Sequence, residues 1–131
     1  MKVLTVKNPW GYLICSGVKD IENRSKKTNF RGTILIHTSK VWDSSYRTPF
    51  EFFTKKQIES IPNNTLLKIK NLNIPNQAII GQVEIVDCIK NSRSIWAEYD
   101  QFHWVLKNAI LYPKPILFVK GSLGLWEYKG I

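Results

Sequence analysis

The chain is 131 residues long, 44% hydrophobic and 22% charged, with a formal net charge of +9. That size and balance fit one domain, 1–131, with a core of its own, and exclude a disordered or low-complexity chain. No apolar run approaches the roughly 18–20 residues of a membrane span, and the opening Met1-Lys2-Val3-Leu4-Thr5-Val6-Lys7 lacks the apolar stretch and cleavage site of a signal peptide.

In chain order, Val3–Val6 predicts a first strand. Asn8 then reads as a helix N-cap with Pro9 at the first helical position; Trp10, Leu13 and Ile14 share one face, and Gly17 supplies a left-handed stop. Gly32–Thr38 reads as a strand apolar on both faces, Ile34 and Ile36 on one and Leu35 on the other. Residues 39–50 read as a loop and Phe50–Ser60 as a helix, with turn clusters at Pro62-Asn63-Asn64 and Pro75-Asn76. Gln77–Cys88 is the clearest strand, with Gly81 as a bulge. After a polar stretch at 91–101, Phe102–Leu111 predicts another strand, which Pro113 and Pro115 should break, and Trp126 and Tyr128 close the chain in a short one. Several strands with few helices predict an α+β fold, a small β-barrel of about five to seven strands with short helices covering its ends.

The charge is uneven. Residues 1–50 carry nine Lys/Arg against three Asp/Glu, and residues 51–131 carry ten against seven. Such a field attracts polyanions whatever their sequence, so an anionic partner is expected. The basic half also holds Gly17-Val18-Lys19-Asp20-Ile21-Glu22-Asn23-Arg24, a turn after the first helix. Opposite charges this close stabilise each other's ionised forms, and the shared parity of Glu22 and Arg24 would put both on one face of an extended backbone, with Asp20 facing water. The same residues also fit a surface ion-pair turn contributing about 0–1 kcal/mol.

His37, at a strand end before Thr38-Ser39-Lys40, can serve a base edge or phosphate, or equally a backbone carbonyl; His103, inside a strand, reads as structural. Among the five tryptophans, Trp104 and Trp126 read as core, Trp42 and Trp96 as available in polar loops, and Trp10 as intermediate. An available indole beside Lys and Arg suits a single-stranded or flipped-out base. The two histidines and two cysteines lack metal-ligand spacing, and neither a G-x-S-x-G nor a phosphate-binding Gly-Lys-Ser loop occurs, so no metal and no cofactor are expected. Cys15 and Cys88 lie in apolar elements without a C-x-x-C, which reads as two buried small hydrophobes and a cytoplasmic protein.

The turn resembles the G-x-K-x-x-E-x-R signature of the ASCH domain family. Further blocks resemble the family in its own order: Pro9-Trp10 with Leu13-Ile14 and Gly17; Arg31-Gly32 followed by Ile34-Leu35-Ile36-His37; Ile80–Cys88; and a tail from His103-Trp104-Val105-Leu106 through Lys120-Gly121 to Gly124-Leu125-Trp126. The resemblance implies a PUA-like barrel that binds RNA or a modified nucleoside, with DNA as an alternative. The ligand-binding set expected on these grounds is Trp10, Lys19, Glu22, Arg24, Arg31, His37, Ser39 and Lys40, with Lys19, Glu22, Arg24 and Arg31 rimming a cleft. The resemblance also admits an enzyme. Some small ASCH proteins are amidohydrolases of N4-acetylcytidine that use the signature Lys and a Thr three residues later as nucleophile. Here those positions are Lys19 and Glu22, so the hydroxyl is missing and only a general-base route through water is left, with Glu98 a candidate for the further acid. Ribonuclease action with Lys19 and Glu22 as acid and base, and a peptide-binding adaptor, complete the alternatives. The oligomeric state is open.

Overall fold

Ile34, Leu35 and Ile36 are consecutive and all buried, and the sheet that contains them accounts for it. The computed structural model describes residues 1–130. In chain order it contains β1 (Lys2–Val6), α1 (Trp10–Cys15), β2 (Ile21–Arg24), β3 (Gly32–Thr38), α2 (Pro49–Phe52), α3 (Lys55–Ser60), α4 (Asn63–Lys70), β4 (Ile79–Ile89), β5 (Phe102–Ile116) and β6 (Leu125–Glu127). The strands form a six-stranded mixed sheet in the order β2-β5-β4-β3-β1-β6, with β1 and β3 parallel and the other pairs antiparallel.

Side chains alternate across a strand, so Ile34 and Ile36 enter the main core with Leu4, Leu13 and Ile14, while Leu35 enters a smaller cluster with Val3 and Ile79. Trp126 and Tyr128 pack over that second cluster, so both faces of the sheet centre are dry. The sheet curls into a half-barrel. β2 and β1 stand well apart in the strand order, yet the Arg24 guanidinium donates to the Thr5 carbonyl oxygen at 3.0 Å across the gap. This is the small barrel-like α+β fold expected.

Several local expectations need correction. Residues 21–24 of the signature form a strand rather than a turn, pairing Glu22 with Trp104 and Arg24 with Phe102. Pro113 and Pro115 do not break β5, which runs to Ile116. β2 pairs only with Phe102–Val105, so beside the prolines that side of β5 is a free edge, and on the other side the β4 register steps from Leu111 to Ile116, giving neither Pro113 nor Pro115 a partner. Phe50–Ser60 is two helices. Phe53 is extended, and Thr54 starts α3 with a capping box in which its hydroxyl accepts from the Gln57 N–H at 3.1 Å and Gln57 Oε1 accepts from the Thr54 N–H at 2.9 Å. Pro62-Asn63-Asn64 opens α4 rather than a turn, with Thr65 and Ile69, four residues apart, facing inward. α1 begins at Trp10, one residue later than expected, although Asn8 Oδ1 still accepts from the Tyr12 N–H at 3.3 Å.

Candidate functional site

Gly17, at φ 81°, ends α1. The Val18 and Lys19 N–H groups then fold back to donate to the Leu13 carbonyl at 3.1 and 3.0 Å. That return turns the Lys19 side chain inward, where it is only 5% exposed. Its ammonium donates to the Ile21 carbonyl, sits 3.6 Å from Glu22 Oε1, and lies 5.5 Å from the centre of the Trp10 ring. Glu22 Oε2 accepts from Arg24 Nε at 2.8 Å, so one buried carboxylate is shared by two cations. Burial pushes the Lys19 pKa below its ordinary value, and the carboxylates of Glu22, Glu98 and Asp20 work against that displacement.

These groups open onto a cleft of about 450 Å³ in the seam between β1 and β2. Trp10 and Trp96 form one wall, their rings edge to face at 6.3 Å, and Phe53 braces both from behind. The Trp10 indole N–H donates to Asp43 Oδ2 at 3.0 Å, which fixes the ring. Burial raises the pKa of that carboxyl, but hydrogen bonds from Ser45 and Trp10 outweigh it and hold it below its ordinary value. Glu98, two residues beyond Trp96, lines the cleft with Gln101.

The structure therefore brings Trp10, Lys19, Glu22 and Arg24 together and adds Glu98. Arg31 does not rim the cleft. It bonds the Thr28 and Phe30 carbonyls and lies 3.7 Å from Asp87. β1 and β3 run parallel with Val6 beside Thr38, so the start of β3 is about seven residues, roughly 20 Å, from the cleft end of the pair. His37, Ser39 and Lys40 lie at the cleft end of β3, but they line a separate depression.

His37 uses both ring nitrogens internally. Nε2 is 2.6 Å from the Val119 carbonyl oxygen and must carry the hydrogen; Nδ1 then accepts from the Thr5 hydroxyl at 3.1 Å, and that hydroxyl accepts from the Trp126 indole at 3.0 Å. Burial pushes the His37 pKa below its ordinary 6.5, partly offset by the bond to Val119. Unfolded chain takes up this proton before folded chain does, so stability is full above pH 6.5 and falls as pH drops from there toward the folded pKa. His37→Gln should remove that acid-side loss, read as a flatter dependence of urea midpoint on pH. His103 is structural as expected, with Nδ1 accepting from the Ser92 N–H and Nε2 bound to the Glu98 carbonyl.

Two tryptophan expectations need correction. Trp96 is buried against Trp10 and Phe53, and Trp42 is half-buried against Tyr46 and away from the cleft. Reading the sequence also missed Asn23. Its amide donates to the Trp96 carbonyl at 2.9 Å and accepts from the Glu98 N–H at 2.8 Å, pinning the 91–101 loop over the cleft. Its place between Glu22 and Arg24 was the available signal. Gln57, which also lines the cleft, and Asp43, which fixes the Trp10 ring, carried none, since each comes from a segment read as a helix or a loop.

No helix among the described residues is long and apolar enough to cross a membrane. Among curated proteins, none matches the chain significantly. A family model described as the ASCH domain matches residues 4–116 of the 131, from β1 to the end of β5, and the chain accordingly belongs to the ASCH domain family.

Proposed function

We propose that the cleft binds an unpaired nucleobase, presented by RNA or as a modified nucleoside. The observation that carries this reading is the arrangement of the Lys19–Glu22–Arg24 triad at the foot of an aromatic wall. An indole face offers a base about 1–3 kcal/mol of stacking. Glu22 accepts from an exocyclic amine, Lys19 donates to a ring carbonyl, and both are held by contacts made before any ligand arrives. A cleft of about 450 Å³ lies within the usual range for small-molecule sites, about 300–1,000 Å³. Membership of the ASCH family is consistent with RNA binding in general. The buried Cys15 thiol, its pKa pushed up by burial, is inert and suits a cytoplasmic protein.

The test is tryptophan fluorescence titrated with cytidine, N4-acetylcytidine and matched short single-stranded RNA and DNA. Saturable quenching is expected, with RNA preferred. Lys19→Met, which keeps the apolar stem, should weaken binding roughly 10- to 100-fold, the range for a lost charge-assisted hydrogen bond. Arg24→Ala should weaken it less. Fluorescence that responds to none of these ligands overturns the reading and favours a peptide-binding adaptor.

A second reading, hydrolysis, draws on one observation: the buried Lys19 ammonium, its pKa pushed down by burial, stands 3.6 Å from Glu22 Oε1 in a cleft that Glu98 also lines. Glu22 would take a proton from water as the water attacks the acyl carbon. Lys19 would stabilise the oxyanion; as that collapses the C–N bond breaks, and the proton held by Glu22 passes to the leaving nitrogen. Mass spectrometry of the titration mixtures separates the two readings. Intact ligand keeps the binding module; deacetylated nucleoside or cut RNA, lost in Lys19→Met, assigns an enzyme.

A further inference from the structure

A second depression of about 400 Å³ adjoins the cleft, and Thr5 is common to both. The Thr5 carbonyl is held by Arg24 on the cleft side, and its hydroxyl bonds His37 on the other. The depression differs from the cleft in charge. Glu22 and Glu98 line the cleft beside its cations, whereas Lys40 and Lys120 line the depression without any carboxylate. Ser39, Ser122 and Gln77 add polar side chains around the two lysines. Among the described residues, none forms a hydrogen bond or ion pair with any of these five side chains, in contrast to Lys19, Glu22 and Arg24.

The floor is firm. His37 is buried with both nitrogens engaged, and Gly121 lies so close that a Cβ there would stand 2.6 Å from the His37 ring and 2.8 Å from Thr5 Oγ1. The Val119 N–H donates to the Gln77 carbonyl at 2.8 Å, tying the 117–124 loop to the approach to β4. Two unpaired ammonium groups and two free hydroxyls over a firm floor suit a phosphodiester, with its single charge and several acceptor oxygens. Lys120 and Ser122 lie beyond the residues matched by the family model, so this wall comes from the chain's own tail.

We infer that the depression is a phosphate subsite, taking a backbone phosphodiester of the single strand whose base occupies the cleft. It rests on the cleft being a nucleobase site, and it gives the strand a direction: across the end of β1, from the triad toward Lys40 and Lys120.

The test compares wild type with a Lys40→Gln/Lys120→Gln double variant, both residues being exposed. Each is titrated with a nucleoside, a single-stranded RNA tetramer and a tetramer with an uncharged methylphosphonate backbone, over a range of salt. The double variant should bind the nucleoside as wild type does and bind RNA about tenfold more weakly. Its plot of log affinity against log salt should be shallower by about 0.7 for each phosphate that the lysines no longer neutralise. The uncharged tetramer should not distinguish the two proteins. RNA bound with wild-type affinity and salt slope overturns the subsite. Inorganic phosphate that fills the depression without displacing RNA assigns it to a free anion and also overturns the strand reading. RNA binding that depends on the two lysines but ignores Lys19→Met, with no nucleoside bound, keeps the subsite and overturns the cleft.

Discussion

Glu22→Ala is expected to destabilise the protein by about 3–5 kcal/mol, the range for removing one partner of a buried ion pair. Glu22 is the only carboxylate within ion-pair distance of Lys19 among the described residues, and the ammonium has little access to water. Without it the charge keeps only the Ile21 carbonyl and the face of Trp10. Arg24→Ala should cost far less, about 1 kcal/mol, because its side chain is 29% exposed and water can replace its contacts. The cause is separable from the loss of packing. Adding Lys19→Met to Glu22→Ala removes the stranded charge and should recover much of the stability, a positive coupling in a double-mutant cycle read by urea denaturation. A Glu22→Ala protein as stable as wild type would mean that Lys19 is neutral in the fold.

The pH dependence of that loss is also set. Burial holds the folded pKa of Lys19 below its ordinary 10.5, so the folded chain releases this proton before the unfolded chain does. Between those two values the unfolded state binds more protons, and stability rises with pH; below the folded pKa the penalty is constant. Removing the Glu22 carboxylate lowers the folded pKa further and extends the rise to lower pH. The deficit of Glu22→Ala should therefore shrink as pH climbs from neutral toward 10.5. A deficit independent of pH would assign the loss to packing.

How far the sequence carries toward this site depends on distance along the chain. The α1 stop at Gly17 and the shared face of Glu22 and Arg24 are local facts, set by backbone freedom and by alternation, and both were legible. β3 was legible because apolar side chains on both faces of a strand have few other uses, and β4 because Val83 and Ile85 alternate with Gln82 and Glu84. β2 was not. Its Ile-Glu-Asn-Arg has no strand pattern, and its pairing is fixed by β5, about eighty residues later. Trp96 and Trp42 were misread for the same reason. Trp96 sits in a largely polar stretch, yet Phe53 and Trp10 reach it through the tertiary fold. Proline was over-read in β5, because whether a missing N–H matters depends on which strand lies alongside. Arg31 was expected at the cleft with the rest of the set the resemblance implies, and the parallel β1–β3 pair puts the start of β3 at the far end.

Gly81→Ala is expected to cost about 3 kcal/mol or more, the upper end of what overpacking a core costs. An added Cβ would stand 2.2 Å from the Ile110 carbonyl oxygen and 2.8 Å from Cys15 Sγ. The first contact is backbone of the neighbouring strand β5, which cannot retreat without opening the β4–β5 ladder at Gly81 and Leu111. The second is the last residue of α1, whose other end carries Trp10 and whose stop aims Lys19. One methyl group outside the cleft lining should thus act on it twice, by loosening the sheet and by lifting the helix. The effects divide in the double variant Gly81→Ala/Cys15→Ala. Removing the sulfur relieves the tighter helix contact and leaves only the Cys15 Cβ at 3.0 Å, so ligand affinity should recover part of the way toward wild type. The contact with Ile110 remains, so the urea midpoint should stay low. Affinity and stability recovering together would place the strain at the helix alone, and neither recovering would place it in the ladder. Either result would show which element holds the triad in position beneath the aromatic wall.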